Sequence, residues 1–210
     1  RAAPMVDRAH LERVHPAAFV DMVLGSVPSS GHALLDADTV LSAGSDRAAL
    51  RAAGAVVAAV EAVCRGEAKT AFCAVRPPGH HAEPARAMGF CLFNSIAVGA
   101  AAAESLYGLE RIAIVDFDVH HGNGTEAAAE SRPHWMYAST HQWPLYPGTG
   151  AERHRGPHGN IVNATLGPGS GSDEFRAAGE RSILPALDRF RPELLMISAG
   201  FDAHRRDPLA

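Results

Sequence analysis

The stretch Arg111-Ile-Ala-Ile-Val-Asp-Phe-Asp-Val-His-His-Gly-Asn-Gly-Thr125 decides the fold of this chain. Its first part, Arg111–Phe117, forms a continuous apolar run, as in a strand buried on both faces of a parallel sheet. Similar runs occur on both sides of it, and they predict strands at Thr70–Val75, Trp135–Thr140, Ile161–Leu166 and Leu194–Ser198. Strands that alternate with helices at this spacing predict an α/β fold with a largely parallel central sheet.

Helices are expected in the intervals between these strands. Asp46–Val63 carries apolar residues at helical spacing, and Asp46 is its expected N-cap. The first 45 residues are weakly patterned, with an amphipathic piece near His10–Val23. The other predicted helices are Asn94–Leu106, ending near Gly108, Thr125–Ser131, and Asp173–Phe190 with Ser172 as its cap.

Composition excludes several classes of protein. The chain has 210 residues, of which 47% are hydrophobic and 20% charged, so we expect one globular domain rather than a disordered chain. A net charge of −4 argues against a general nucleic-acid binder. No apolar run approaches the roughly 18 residues of a membrane span, and the charged first residues are not expected to act as a secretory signal. Three cysteines without a CxxC pair favour a reducing, cytoplasmic location, while the sequence leaves an oligomer possible.

Unusual polar clusters follow three of the predicted strands. The first is Arg76–His81, the second runs from Asp116 to Gly124, and the third is Ala199–Asp202. In open α/β sheets, ligands bind in the crevice beyond the carboxyl ends of the strands. These three clusters are therefore where we expect the chemistry of the protein.

The second cluster contains the residues of a metal site. In an extended chain, side chains at i, i+2 and i+4 share a face, so Asp116, Asp118 and His120 are expected to point the same way. Neighbouring buried carboxylates repel each other unless a cation neutralises them. Asp118 and His120 supply two ligands and Asp202 can supply a third, which leaves a position for water as in catalytic zinc sites. The same donors would also accept iron(II).

The tandem His80-His81 is suited to proton transfer beside such a metal. One neutral imidazole can take a proton from water, and a second can return a proton to a leaving amine. Each ring needs an orienting partner on its far nitrogen, and Asp116 and Asn123 are the available partners.

Each of these features also has a purely structural explanation. An Asp-x-Asp at a strand end is usually a cap or a turn, a tandem histidine can belong to a loop, and Asp202 could cap a turn. The joint occurrence at three strand ends favours a functional site. Cys73 and Cys91 are expected to be packing thiols. Solvated or locally bonded histidines are expected at His10, His15, His32, His134, His154 and His158.

Four motifs resemble those of the zinc-dependent histone deacetylase family. They are Arg76-Pro-Pro-Gly-His-His-Ala82, Met88-Gly-Phe-Cys-Leu-Phe-Asn94, Asp116-Phe-Asp-Val-His-His-Gly-Asn-Gly-Thr125 and Ser198-Ala-Gly-Phe-Asp202. The resemblance runs from about Leu35 to Ala210, and it is narrower for the bacterial class II deacetylase-like amidohydrolases, near the acetylpolyamine amidohydrolases. It implies a three-layer arginase/deacetylase-like α/β fold, with a mainly parallel central sheet that is truncated at the C-terminus. It also implies hydrolysis of N-acyl amides to a free amine and acetate.

The resemblance assigns roles to individual residues. Asp118, His120 and Asp202 match the zinc ligands. His80 and His81 match the catalytic histidine pair, with Asp116 behind His80 and Asn123 behind His81. An Asn at this last position is the class II type. Family members also hold a structural potassium ion, for which the matching residues are Asp116, Asp118, His120, Ser139 and Thr140.

The resemblance further implies a tunnel for the acylated chain. Phe90, preceded by Gly89, and Tyr146 match the aromatic side of this tunnel, and Leu209 matches an apolar residue that lines it. Asp38 matches the carboxylate at the rim that holds the substrate backbone. The implied substrate is an acetyl-lysine peptide or a small acetylated amine, because a flat and neutral acylated linker suits an apolar tunnel.

One family feature is absent from the sequence. Relatives use a tyrosine in a Gly-Gly-Tyr stretch, beyond the last zinc ligand, to hydrogen-bond the oxyanion, and this chain ends eight residues after Asp202. We therefore expect residues 1–210 to be a single but partial deacetylase domain. Three alternatives stay open at this point: an acetylpolyamine deacetylase, a catalytically impaired module that binds acyl groups, and a scaffold without a metal.

Overall fold

The computed structural model describes residues 1–208, which form two compact units divided after Gly108. The first unit contains four helices and a small antiparallel pair of strands. In chain order these are α1 (Arg8–Leu11), α2 (Ala17–Gly25), β1 (His32–Leu34), β2 (Val40–Ser42), α3 (Ser45–Cys64) and α4 (Ser95–Tyr107). Although α3 has 20 residues, no helix within residues 1–208 has the length and apolar character that a membrane crossing requires.

The core of the first unit joins α2, α3 and α4. Small residues dominate the buried faces of α3 and α4, so these two helices approach each other closely. The predicted ends of α4 are confirmed. The Asn94 side chain caps its start by accepting a hydrogen bond from the Ala97 N–H (3.1 Å), and Gly108 ends it in the left-handed conformation (φ 65°).

The predicted cap of α3 is wrong. Its N-cap is Gly44, in a left-handed conformation (φ 89°), and no side chain caps the helix. Asp46 lies instead in the first turn, where a carboxylate is favoured by the helix dipole.

The strand expected at Thr70–Val75 does not form. Among residues 1–208 no strand pairs with this segment, and Phe72 is 77% exposed. An apolar run becomes a strand only where a neighbouring backbone supplies hydrogen bonds, so β-propensity alone does not decide it.

His15 is expected to be solvated or locally bonded, and this is also wrong. The ring is fully buried and stacks on Phe19 with ring centroids 5.2 Å apart. Its Nδ1–H donates to the Pro84 carbonyl (3.0 Å), and its Nε2 accepts the Asn94 N–H (2.9 Å). The histidine therefore joins segments that are far apart in the sequence.

The second unit is built around a four-stranded parallel sheet. Its strand order is β5-β4-β3-β6, and each pair is parallel, which confirms the predicted sheet type. Its elements are β3 (Ile112–Asp116), α5 (Asn123–Glu130), β4 (Trp135–Gln142), β5 (Ile161–Leu166), α6 (Ser172–Ala178), α7 (Leu184–Phe190) and β6 (Leu194–Ser198).

The long helix predicted at Asp173–Phe190 is interrupted. A π-helical turn, Gly179–Ile183, separates α6 from α7. Ser172 is not its cap, because the N-cap is Gly171, whose N–H donates to the Glu174 carboxylate (2.8 Å). The buried residues of this helical segment pack on the sheet residues Ala113, Met136, Ala138 and Ala164.

Candidate active site and metal centre

The candidate site of the second unit lies where the strand order changes direction. After β3, the strands β4 and β5 add to one edge of β3, whereas β6 pairs with its other edge. Asp116 ends β3 and pairs in register with Ser198, the last residue of β6. Because both strands are parallel, the segments that follow them leave the sheet at the same edge, which is where α/β proteins bind ligands.

Strand alternation is not what orients Asp118 and His120. The strand ends at Asp116, so the expectation of an extended Asp116–His120 segment is wrong. Instead, Asp116 Oδ1 accepts the Asp118 N–H (3.2 Å), and Asp118 Oδ1 accepts the His120 N–H (2.8 Å). Aspartate side chains commonly bond the backbone two residues on, and here two such bonds in succession shape the loop.

Asp202 reaches the same loop from the end of β6. Its Oδ1 accepts the Val119 N–H (3.0 Å), and its Oδ2 lies 2.9 Å from His120 Nδ1. His120 Nδ1 also lies 3.1 Å from Asp118 Oδ1. One donor atom each from Asp118, His120 and Asp202 thus lies within 4.8 Å of the others. The structure brings the three predicted metal ligands together.

Gly200 makes this convergence possible. A Cβ atom at this position would overlap the carboxylate of Asp118. The glycine of the Ser198–Asp202 motif therefore leaves room for a ligand side chain on the neighbouring loop.

The three donor groups form a strongly coupled charge cluster. The hydrogen bonds and charges of Asp118 and Asp202 raise the pKa of His120 to about 9. Burial would raise the pKa of the Asp202 carboxyl, but the hydrogen bonds from His120 and the Val119 N–H lower it well below its usual range. Two carboxylates that hold a proton on an imidazole can equally hold a divalent cation, which then displaces the proton.

Asp116, unlike the three predicted metal ligands, is fully buried. Its carboxylate accepts the Tyr137 hydroxyl (3.2 Å), which in turn accepts the Gly122 N–H (3.0 Å). Burial and the charge of Asp116 raise the pKa of Tyr137 well above its usual range. Tyr137 therefore stays a hydrogen-bond donor at every physiological pH.

The other residues predicted for the potassium site lie on β4. Ser139 pairs in register with Asp116, and Thr140 follows it; both are buried at the carboxyl end of the sheet. Asn123, the predicted partner of His81, is the first residue of α5 and is also buried.

The first unit carries the histidine pair. His80 and His81 are both buried, with ring centroids 4.0 Å apart. Gly89 packs on His81, since a Cβ atom there would overlap the imidazole. The glycine of the Met88-Gly-Phe motif is therefore required by the neighbouring histidine ring.

The predicted tunnel residue Phe90 stands in a strained and exposed position. Its φ is +65°, which is unusual for a bulky side chain, and the residue is 49% exposed. Its N–H donates to Thr39 Oγ1 (3.2 Å), and the preceding Gly89 N–H donates to Asp38 Oδ1 (3.1 Å). Asp38, predicted at the substrate rim, thus also holds the backbone beneath Phe90. Strain kept at an exposed aromatic residue is typical of a binding site.

Tyr146, the second predicted tunnel aromatic, lies beside the metal cluster. Its ring packs edge-on against His120, with centroids 6.1 Å apart, and it is 38% exposed. Leu209, the predicted apolar tunnel residue, lies outside the described residues.

The sequence analysis missed two buried histidines that lie near the cluster of Asp118, His120 and Asp202. His121 and His141 are buried side by side, with ring centroids 4.8 Å apart. They contact Glu126 and the loop that carries Tyr146. The one sequence signal for them is His121, the second histidine of the Asp116–Thr125 motif, and the motif alone does not reveal its function.

Comparisons with known proteins address the whole chain. The family model described as the histone deacetylase domain matches residues 1–210. A histone deacetylase-like amidohydrolase of Pseudomonas aeruginosa is 43% identical, and the match covers 100% of this chain and 56% of that protein. A probable deacetylase of Archaeoglobus fulgidus is 38% identical over 93% of this chain and 55% of that protein.

The fold of the chain matches that of a solved protein of similar sequence. The crystal structure of the HDA15 HD domain superposes with a TM-score of 0.93 at 38% identity, over 99% of this chain and 62% of that one. The high TM-score confirms the expected fold. The chain thus spans a little more than half the length of these three relatives.

Proposed function

Because the chain belongs to the histone deacetylase family, we propose that it carries the metal centre and the histidine pair of an enzyme that hydrolyses N-acetyl amides. The observation that carries this proposal is the convergence of Asp118, His120 and Asp202 on one point of the second unit. A purely structural role would not require two carboxylates and an imidazole with their donor atoms within 4.8 Å.

The three residues fit a divalent transition metal. Two carboxylate oxygens and one imidazole nitrogen are the donors that zinc accepts, and iron(II) accepts them too. The Val119 N–H holds Asp202 from its other oxygen, so the ligand is oriented before any cation binds. A zinc ion in this position supplies Lewis acidity, which polarises an amide carbonyl and acidifies water.

The histidine pair is proposed to move the proton. In this mechanism His81 accepts a proton from the attacking water, whose oxygen forms the new bond to the acyl carbon. The C–N bond then breaks and the proton passes to the leaving amine, so that acetate and a free amine result. His80, with Asp116 as its partner, is proposed to stabilise the developing oxyanion, and Asn123 is the proposed partner of His81.

A potassium ion is proposed at the end of the sheet. Asp116, Asp118 and His120 would bind it together with Ser139 and Thr140. The register that sets Asp116 beside Ser139 supports this proposal. Such an ion would stabilise the loop that carries two of the metal ligands.

The proposed substrates are acetyl-lysine peptides or small acetylated amines. Phe90 and Tyr146 are exposed aromatic residues suited to the flat face of an acylated linker, with Gly89 and Asp38 fixing the backbone beneath Phe90. Acetylpolyamines are the rival substrates, because a short acetylated amine would present the same amide to the same residues.

The test is acetate release by the zinc- or iron-loaded chain, with an acetyl-lysine peptide and N-acetylputrescine as parallel substrates. We expect His81→Ala to lower the rate at least about 100-fold, whereas the matched control His158→Ala, at an exposed histidine, leaves it unchanged. Tight binding of a hydroxamate without acetate release would support the acyl-binding module instead. Neither hydroxamate binding nor acetate release by the metal-loaded chain would refute the proposal.

A further inference from the structure

A series of buried hydrogen bonds lies next to the loop of His120 in the second unit. Asn163 Nδ2 on β5 donates to Glu126 Oε2 on α5 (2.8 Å), and this same oxygen lies 3.0 Å from His121 Nε2. The other ring nitrogen, Nδ1, lies 2.8 Å from the Thr149 hydroxyl. Three hydrogen bonds thus connect a strand, a helix and two loops.

The two hydrogen bonds at Glu126 have a defined direction. Burial would raise the pKa of the Glu126 carboxyl, but the His121 hydrogen bond and charge and the Asn163 amide together lower it below its usual range. The carboxylate can only accept, so His121 Nε2 carries a proton. The Thr149 hydroxyl can donate or accept, so it can satisfy Nδ1 of His121.

A second histidine holds the next residue of the same loop. His141 Nε2–H donates to the Gly150 carbonyl (2.9 Å), and its Nδ1 accepts the Ser139 hydroxyl (2.9 Å). Gly150 packs so closely on both rings that a Cβ atom would lie 2.5 Å from His121 Cγ and from His141 Nε2. The two histidines thus form a clamp on residues Thr149 and Gly150.

The loop that carries Thr149 and Gly150 borders open space on one side. Glu126, Trp143 and most of residues 148–156 line an open cavity of about 630 Å³. Thr149 is exposed, and its hydroxyl bond to His121 ties this side chain to the buried interior. Where packing is sparse, the position of a loop depends on its polar contacts.

We infer that Thr149 is a positioning residue, which through His121 and Glu126 holds the loop of Tyr146 against His120 and thereby sets the affinity for the acylated substrate. Tyr146 lies three residues before Thr149, and its ring contacts His120, the neighbour of His121 in the chain. His121 therefore belongs to the loop that carries His120. Thr149 and Gly150, which the clamp holds, belong to the loop that carries Tyr146. The effect on substrate affinity rests on the proposed function, whereas the clamp itself does not.

Thr149→Val and Thr149→Ser form a matched pair of variants for the test. Valine keeps the shape of the side chain and loses the hydroxyl, while serine keeps the hydroxyl. Loss of one neutral hydrogen bond corresponds to about fivefold in an equilibrium constant. We expect Thr149→Val to raise KM for the acetyl-lysine peptide about fivefold with a much smaller change in kcat, and Thr149→Ser to restore the wild-type value.

The double variant with Tyr146→Ala separates positioning from general destabilisation. If Thr149 acts through Tyr146, Thr149→Val has no further effect on KM once the Tyr146 ring is removed. An undiminished effect in the Tyr146→Ala background, or an unchanged KM in Thr149→Val, would overturn the inference.

Hydrogen exchange tests the clamp without any turnover. We expect Thr149→Val to raise amide exchange in residues 145–150 about fivefold, and Thr149→Ser to leave it unchanged. Should the wild-type chain hydrolyse no amide, this result still supports the clamp while the proposed function fails. Unchanged exchange in Thr149→Val would refute the clamp even where hydrolysis is observed.

Discussion

Replacing His15 by glutamine is expected to remove a large part of the acid sensitivity of the first unit. Burial lowers the pKa of His15 to about 4 from its ordinary value of 6.5. The bond from the Asn94 N–H acts in the same direction, because Nε2 accepts it and has no room for a proton of its own, whereas the hydrogen bond to the Pro84 carbonyl opposes the shift by raising the pKa. The folded chain therefore keeps the His15 ring neutral, with its proton on Nδ1 facing the Pro84 carbonyl.

The sign and size of the effect follow from these two pKa values. Between pH 6.5 and about 4 the unfolded chain binds more protons than the folded one, so the free energy of unfolding falls as the pH falls. The contribution is fully present above pH 6.5 and is lost as the pH approaches 4. The shift of about 2.5 units corresponds to about 3.4 kcal/mol over the whole range, and to about 2 kcal/mol between pH 7 and pH 5.

Glutamine is the informative substitution because its amide can repeat both hydrogen bonds without titrating. Its N–H₂ can donate to Pro84 and its carbonyl can accept from Asn94, although the stacking on Phe19 is lost. The variant is thus expected to be less stable at pH 7 and yet to lose about 2 kcal/mol less than the wild type on acidification to pH 5. Urea unfolding followed by far-ultraviolet circular dichroism measures both quantities.

A core variant that keeps the histidine is the matched control. Val20→Ala removes buried methyl groups from the same helix region, so it should lower the free energy of unfolding by a similar amount at every pH. If the wild type and His15→Gln lose the same stability between pH 7 and pH 5, the argument from the buried neutral ring is refuted.

Three further predictions concern single positions. Gly200→Ala is expected to weaken zinc binding about tenfold or more, because the new methyl group displaces the Asp118 carboxylate; competition with a chelating dye measures it. Asn160→Ala is expected to cost about 1–3 kcal/mol in urea unfolding, since its amide donates to three backbone carbonyls, with the bonds to Ala129 and Trp135 buried. Asn94→Ala should cost at least about 1 kcal/mol through the lost cap on the Ala97 N–H, and Asn94→Asp, which keeps this acceptor but sets a buried carboxylate against the Ala82 carbonyl, should not be less costly.

The elements predicted correctly from the sequence are those whose local chemistry suffices. The β3 run of apolar residues specifies a strand buried on both faces, and the structure places it at the centre of the sheet. Asn94 and Gly108 bound α4 because a cap and a left-handed terminus need no distant partner. The predicted strands β4, β5 and β6 form as well, each within two residues of its expected end.

The wrong predictions concern features that depend on distant residues. Thr70–Val75 has the composition of a strand, but a strand also needs a neighbouring backbone, which composition does not encode. The π-helical turn of Gly179–Ile183 is a local change in hydrogen bonding that leaves the apolar periodicity almost intact. His15 finds its partners 69 and 79 residues further along the chain, so no local pattern could mark it as buried.

In the candidate metal centre, the donor atoms of Asp118, His120 and Asp202 converge, but for a different reason than the sequence pattern suggests. The spacing of two residues between Asp116, Asp118 and His120 is typical of one face of a strand, and this pattern predicts that they point the same way. In the structure the same spacing serves the side chain-to-backbone bonds by which each aspartate holds the N–H two residues further on. These bonds leave the His120 ring directed at Asp118 and Asp202, which an ideal strand would not do for a residue beyond its end. The Asp-x-Asp-x-His pattern therefore specifies a loop geometry, and its specificity lies in the aspartate side chains rather than in the strand that precedes them.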